Sequence, residues 1–295
     1  MNQADDNAKP TVPRRFDRAL GVIGKSLITT GLLLLAFVAY QLWGTGLAEN
    51  RAQAGLKKEF ARELTAQKST LPKFGKPVTR IQIDAIGLDK IVVAGTSYEA
   101  LEKGPGLFSG SPLPGQFGNV AIAGHRTSYG APFGRINELE AGDEIVLTRA
   151  GSTFTYIVSE DPFIVKPNAV EVVKTLEKQS ARLTLVTCHP KWTSKNRLVV
   201  KATLVSTVKP QPPTEYAPAA AQPTEVLSGG WFHDPSAIPW AMMLAMALVM
   251  IAVLAQRLTA RGRRAWKVYS VAAAAFAPTL FMFFGFLTRL LPANI

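Results

Sequence analysis

The one cysteine in 295 residues closes an apolar run, Thr184-Leu185-Val186-Thr187-Cys188-His189-Pro190. A thiolate attacks carbonyl carbon well, but a free thiol ionises only near pH ~8.5, so catalysis by Cys188 calls for a nearby cation or base. Arg197 opens the next β-branched run, Leu198-Val199-Val200-Lys201-Ala202-Thr203-Leu204-Val205. Its permanent charge and rigid fork of donors suit an oxyanion or a peptide carbonyl. His125 stands in Ala123-Gly124-His125-Arg126-Thr127-Ser128-Tyr129-Gly130 and is the natural acid or base near neutral pH. Each residue has a plainer reading. A lone cysteine is more often a small buried hydrophobe, a histidine in a Gly-rich loop a loop residue, and an arginine opening a strand a solvated charge. His189 beside Cys188 raises a metal site, yet one cysteine and three histidines make no ligand set, so no metal or other cofactor is expected. His189 is expected to pack or hydrogen-bond beside the nucleophile.

For the three to meet, strands must carry them. Leu183, Leu185 and Thr187 alternate with Thr184, Val186 and Cys188, the period of a strand with two distinct faces. Asn119-Val120-Ala121-Ile122-Ala123 reads as a buried strand that delivers His125 into the following loop. Ile81-Gln82-Ile83 and Lys90-Ile91-Val92-Val93 are short strands around Gly87. Glu144–Thr148 and Thr153–Val158 flank Ala150-Gly151-Ser152, a hairpin signal. Tyr98–Lys103 predicts one helical turn and Val170–Lys178 a short helix. The breaker clusters Gly104-Pro105-Gly106 and Pro112–Gly118 enclose a long loop. About eight short strands predict a mainly β domain, a small closed barrel or a sandwich.

The net charge of +12 looks like a nucleic-acid signal until it is mapped. From Arg80 to Thr207 there are 14 Lys/Arg against 12 Asp/Glu, which leaves +2, so the remaining +10 sits on the flanks beside long apolar segments. That is a membrane-topology signal and not a nucleic-acid face. The chain is read as a basic cytoplasmic tail (1–18), a first transmembrane helix (19–43) and a juxtamembrane helical spacer without chemistry (44–79). The soluble domain (80–208) follows, then a Pro/Ala-rich linker (209–236) and a second span (237–256). A basic cytoplasmic loop (257–267), a third span (268–288) and a tail (289–295) complete it. The first apolar stretch is longer than a signal-peptide core and lacks a small-x-small cleavage site, which favours an uncleaved anchor. Its basic N-terminal flank puts the N-terminus in the cytoplasm and the domain outside. A multi-pass protein of the cell membrane results, with Pro278 tolerable inside the last span.

Thr184-Leu185-Val186-Thr187-Cys188 followed by Arg197 resembles the Thr-Leu-x-Thr-Cys…Arg signature of sortases, the membrane-anchored cysteine transpeptidases of Gram-positive bacteria. Ala123-Gly124-His125-Arg126 is similar to the stretch that bears their histidine. His125–Phe133, Cys188-His189-Pro190-Lys191-Trp192, and Gly104-Pro105-Gly106 followed by Leu113-Pro114-Gly115 look most like class E, the actinobacterial housekeeping group. The resemblance implies an eight-stranded β-barrel with short helices, here joined to three transmembrane helices, in which His125, Cys188 and Arg197 share one groove. It further implies that Cys188 attacks the Thr–Gly bond of a C-terminal sorting signal, of Leu-Ala-x-Thr-Gly type, on a secreted protein. The thioacyl enzyme would be released by an amine of a lipid II-type cell-wall precursor. Tyr129 would lie near the pocket as a selectivity residue, with Thr187 and His189, flanking the nucleophile, as further substrate-binding positions. Two alternatives stand beside this reading: a class C-like enzyme joining pilins through a lysine, and a non-catalytic membrane scaffold. The two C-terminal spans depart from class E, which usually has the N-terminal anchor alone. The Asp161-Pro162-Phe163 triplet lies on the wrong side of His125 for a class C lid.

Overall fold

The computed structural model describes residues 14–65, 73–205, 210–213 and 234–291. The start of the basic tail, most of the Pro/Ala-rich linker and the end of the C-terminal tail lie outside the described residues. So do residues 66–72 of the expected spacer. The chain divides into two units, Met1–Tyr40 and Gln41–Ile295.

In the second unit, nine strands make one sheet: β1 (Pro77–Ile83), β2 (Leu88–Ala94), β3 (Gly106–Leu107), β4 (Gly118–Ala123), β5 (Glu144–Arg149), β6 (Ser152–Val158), β7 (Phe163–Val165), β8 (Ala181–His189) and β9 (Asn196–Leu204). Among the described residues, eight of them close a barrel in the order β6-β5-β1-β2-β3-β4-β8-β9, and Tyr156↔Leu204 through Val158↔Ala202 seals the ring. The ninth, β7, branches onto the first half of β9, with Val165 opposite Arg197. Closure leaves most of the sheet without a free edge. The expected closed barrel is therefore present, and β5 and β6 form the predicted hairpin across Ala150-Gly151.

Two local expectations change. The two-residue β3 lies inside the stretch read as a long loop, pairing parallel to β2 and antiparallel to β4. The helix expected over Val170–Lys178 is a single 3-10 turn, Val170–Val173. Its three valines are β-branched, which disfavours helix and suits packing against a sheet.

Side chains of alternate parity feed two separate clusters. Leu183 and Leu185 of β8, with Leu198, Val200 and Ala202 of β9, point into the barrel beside Ile81, Phe133 and Tyr156. Each fully buried side chain of this size stabilises the fold by about 1.5–3 kcal/mol. Val186 and Cys188, with Ala121 and Ala123 of β4 and Val199 of β9, point outward into a smaller cluster. It is roofed by Leu101, Phe108 and Val173, and by the half-buried Phe163 and Val165.

Helix α2 (Thr45–Thr65) is present where a spacer was expected, but it lies against the barrel. Glu49, Gln53, Leu56 and Phe60 fall on one face at helical spacing and are buried. Gln53 Nε2 donates to the Ile91 and Lys103 carbonyls, at 2.9 and 2.8 Å, and its Oε1 accepts from Ile91 N at 2.7 Å. Lys90 Nζ pairs with Glu49 at 2.7 Å. A polar buried stripe escaped a reading that looked for apolar periodicity.

The short helix α3 (Tyr98–Leu101) is the expected turn, capped by Ser97. Two long helices follow the linker, α4 (Ala237–Ala260) and α5 (Ala265–Leu290), with Trp240 stacked on Phe286 and Pro278 accommodated inside α5. In the first unit, α1 (Arg14–Ala39) exposes Leu27, Leu32 and Leu35. By length and composition, Leu20–Thr65, Ala237–Ala260 and Ala265–Leu290 each contain a stretch long and apolar enough to cross a membrane.

Candidate active site

Three neighbouring strands end at one edge. β4 and β8 run parallel with Ala123 opposite Val186, and the ladder continues through Gly124 N donating to Val186 O at 3.1 Å. One residue further on each chain lie His125 and, after Thr187, Cys188. β8 and β9 run antiparallel with Cys188 directly opposite Arg197. Period-two alternation gives His125 the parity of Ala121 and Ala123, Cys188 that of Val186, and Arg197 that of Val199. All three thus belong to the outward face of the barrel, under the smaller apolar cluster. Sheet register sets Cys188 opposite Arg197 and brings the loop that carries His125 to the same edge of the barrel.

Arg197 Nη1 stands 3.6 Å from Cys188 Sγ, and the same nitrogen donates to the Ser194 and Asn196 carbonyls at 2.9 and 3.1 Å. Cys188, His125 and Arg197 are 1%, 2% and 2% exposed, so the site is shielded from water. Burial pushes the Cys188 thiol up to about 11, although Arg197 and Arg126 both favour the thiolate. Desolvation outweighs two cations here, so at pH 7 about one thiol in ten thousand is ionised. The resting group is a neutral thiol.

Arg126 was quoted in the sequence motif without a role, and the structure gives it one. Its Nη1 donates to Cys188 O at 2.9 Å and lies 3.2 Å from His189 Nδ1, while Nη2 donates to Asn137 Oδ1 at 3.0 Å. The guanidinium ties the loop after β4 to the end of β8 through the Cys188 carbonyl and the His189 ring. His189, half-buried, meets Arg126 beside the nucleophile as expected. Thr187 is fully buried, and its hydroxyl donates to Gly124 O at 2.7 Å. That side chain ties β8 to the residue before His125.

The loop that carries His125 is unusual. Tyr129, Gly130 and Ala131 lie consecutively at φ 47°, 71° and 44°. Two non-glycine residues in the left-handed region cost about 1–2 kcal/mol each and persist only where surroundings impose them. Several contacts do so. Tyr129 N donates to Thr45 Oγ1 at 3.1 Å, and Phe133 N donates to His125 O at 3.0 Å. Gly130 packs so close to Glu49 that a Cβ there would stand 2.6 Å from Oε2. The Tyr129 ring lies 5.0 Å from the His125 ring, and its hydroxyl is 2.6 Å from that of Tyr98. Tyr129 thus stands beside His125.

Residues 81–205 match the sortase domain family. Sortase SrtE1 of Streptomyces coelicolor is 33% identical over 221 residues, covering 69% of this chain and 62% of that protein. Sortase SrtE2 of the same organism is 32% identical over 218 residues, covering 65% of this chain and 84% of the relative. The chain belongs to the sortase family. Among solved structures, sortase E from Streptomyces avermitilis is 39% identical, with a TM-score of 0.42 over 45% of this chain and 91% of that one. The class E-like character seen in the motifs agrees with these relatives.

The sortase match leaves Asp161-Pro162-Phe163 to be placed. Phe163 begins β7, and Lys201 Nζ sits over its ring at 4.8 Å. The triplet leads into β7, the strand that branches onto β9 beside the closed ring. Beyond the predicted residues, the site includes Arg126, Tyr98 and Glu102. Arg126 was findable from its adjacency to His125. Tyr98 and Glu102 carried no sequence signal, since α3 meets the histidine loop only through the barrel's curvature.

Proposed function

We propose that this sortase is a class E-like cysteine transpeptidase that cleaves the Thr–Gly bond of a Leu-Ala-x-Thr-Gly sorting signal and passes the threonyl acyl group to a cell-wall amine. The observation that carries this reading is that Cys188 on β8 stands opposite Arg197 on β9 and that the loop bearing His125 leaves β4 at the same edge, inside the region matched by the family.

In this reading His125 takes the Cys188 proton as Sγ attacks the threonine carbonyl carbon. The raised thiol makes that transfer necessary, because little thiolate exists at rest. The carbonyl electrons move onto oxygen, and the oxyanion is met by Arg197, whose Nη1 gives up a loop carbonyl to reach it. As the tetrahedral carbon collapses, the C–N bond breaks and His125 protonates the departing glycine amine. A thioester remains on Cys188. The incoming amine, from a lipid II-type precursor, attacks that thioester and loses its proton to His125. The new amide forms and the Cys188 sulfur leaves as thiolate, which is reprotonated. Arg126 holds the Cys188 carbonyl still through both halves, and Tyr129 and His189 flank the path of the peptide.

The proposed placement follows from charge and span. Arg14, Arg15, Arg18 and Lys25 lie in the N-terminal half of α1, and Arg257, Arg261, Arg263, Arg264 and Lys267 lie around the connection of α4 to α5. With both groups in the cytoplasm, the barrel (residues 80–208) stands outside, facing secreted substrates and lipid-linked acceptors.

The test is an assay of the full chain in lipid nanodiscs with a Leu-Ala-x-Thr-Gly peptide and an added amine. The expected products are the free glycine-led fragment and the amide of the threonyl fragment. Cys188→Ala is expected to lower both by at least about a thousandfold. Undiminished cleavage by that variant would contradict the assignment.

A further inference from the structure

The two C-terminal helices are the part of the chain that class E character does not explain. α5 ends beside the histidine loop. In its last turn Arg289 forms a two-pronged pair with Glu102, Nε to Oε1 at 3.1 Å and Nη2 to Oε2 at 3.0 Å. The two side chains are 29% and 20% exposed, so the pair is partly shielded from water. Glu102 Oε1 also accepts the Tyr129 hydroxyl at 3.1 Å. With that proton committed, Tyr98 is the donor across the 2.6 Å contact between the two hydroxyls. The Arg289 guanidinium also lies over the Tyr98 ring, 5.8 Å from its centre, and over Phe286, at 5.6 Å. Tyr129 in turn packs its ring on His125 and meets Tyr98 edge-on.

We propose that Arg289 is a positioning residue for His125: through Glu102 it fixes the Tyr129 hydroxyl, and so holds the strained loop in the conformation that aims the imidazole. The inference rests on the reading of His125 as the acid–base. Two features favour it over a surface ion pair. A carboxylate that accepts from both a guanidinium fork and a phenol is oriented by both, and moving either partner moves the third. Tyr129, Gly130 and Ala131 sit in the left-handed region, so the loop keeps its shape only while its anchors hold. Thr45 on α2 anchors the loop's backbone, and Arg289 on α5 anchors its side chain. The crossing count agrees. In the proposed topology α4 and α5 cross the membrane once each, so the end of α5 returns to the barrel's side, where Glu102 is. The hairpin is therefore part of the active site's scaffold as well as an anchor.

The test uses the full chain in nanodiscs with the same peptide and amine. Arg289→Ala is expected to lower kcat about tenfold while KM stays within about twofold, the pattern of a misplaced catalytic group with intact binding. Tyr129→Phe, which removes the hydroxyl, is expected to lower kcat to a similar extent, and adding Arg289→Ala to it costs little more. Should Arg289→Ala insert poorly, Arg289→Lys keeps the charge without the fork and is expected to lose about threefold in kcat. Wild-type kcat in a well-inserted Arg289 variant, or losses that multiply in the double variant with Tyr129→Phe, would overturn the inference. His125→Ala separates the two claims. If it stays active, the catalytic reading itself fails; if it is dead while Arg289→Ala is normal, only the role of Arg289 fails.

Discussion

The two halves of the site are held in different ways. Cys188 and Arg197 are opposite residues of one antiparallel ladder, and eight consecutive pairs from Arg182↔Thr203 to His189↔Asn196 fix their separation. His125 lies past the end of β4, in a loop whose shape depends on contacts from Thr45, Glu49, Glu102 and Arg126. These come from parts of the chain as far as 84 residues away. Cys188 is placed by backbone pairing, which many bonds share. The histidine is placed by a few side chains, each individually breakable. This difference predicts that substitutions around Cys188 act mainly on its reactivity, whereas substitutions around His125 act on the geometry of the loop.

The largest expected effect falls where the halves are joined. Arg126→Ala removes the guanidinium that spans them and leaves the Cys188 carbonyl and Asn137 without that donor. It is expected to cost about 2–4 kcal/mol, read as a lowered unfolding midpoint, together with most of the activity. Retained stability would mean that the register alone holds the halves together.

The strand-borne half can be probed by pH. The Cys188 thiol is raised from 9.0 to about 11, so folding favours the protonated form. The contribution is fully present below pH 9 and is lost as pH climbs toward 11, a fall of about 2–3 kcal/mol in unfolding free energy that Cys188→Ala should abolish. Alkylation of Cys188 by iodoacetamide should in parallel climb about tenfold per pH unit from 7 and level off only near 11. A plateau near pH 8 would show that the cations win over burial.

Two smaller perturbations address the loop-borne half. Gly130→Ala forces a Cβ against Glu49 at φ 71° and is expected to cost about 1–3 kcal/mol, with a larger proportional loss in kcat than in peptide binding. Thr187→Val keeps the side-chain volume but removes the bond to the Gly124 carbonyl, and should cost about 1 kcal/mol by the same unfolding measurement. If Thr187→Val raises KM instead, the side chain meets substrate.

The same contrast explains what could be read before the fold was known. The alternation of Leu183, Leu185 and Thr187 with Val186 and Cys188 is a local property of a strand, and it correctly placed the thiol on one face. The hairpin across Ala150-Gly151 was legible for the same reason, since both residues take the left-handed conformation that such a turn requires. Gly106-Leu107 was hidden because two residues between breakers carry no period. The docking of α2 was hidden because Glu49 and Gln53, polar side chains, occupy the buried stripe and find their partners on β2. Glu102 and Arg289 are 187 positions apart, and no local pattern links them. The strands that bring Cys188 opposite Arg197 could be read from the sequence because strand periodicity is local. The side chains that hold the histidine could not, because their partners are chosen by the closed barrel and by the helices against it.

The measurement closest to the central claim is the mass of the enzyme during turnover. The full chain in nanodiscs, mixed with a Leu-Ala-x-Thr-Gly peptide and quenched in acid without added amine, should gain the mass of the threonyl fragment. Proteolytic mapping should place that mass on Cys188, and a pulse of amine before the quench should remove it as the amide. Peptide cleavage with no such adduct, or with an adduct on another residue, would contradict the account.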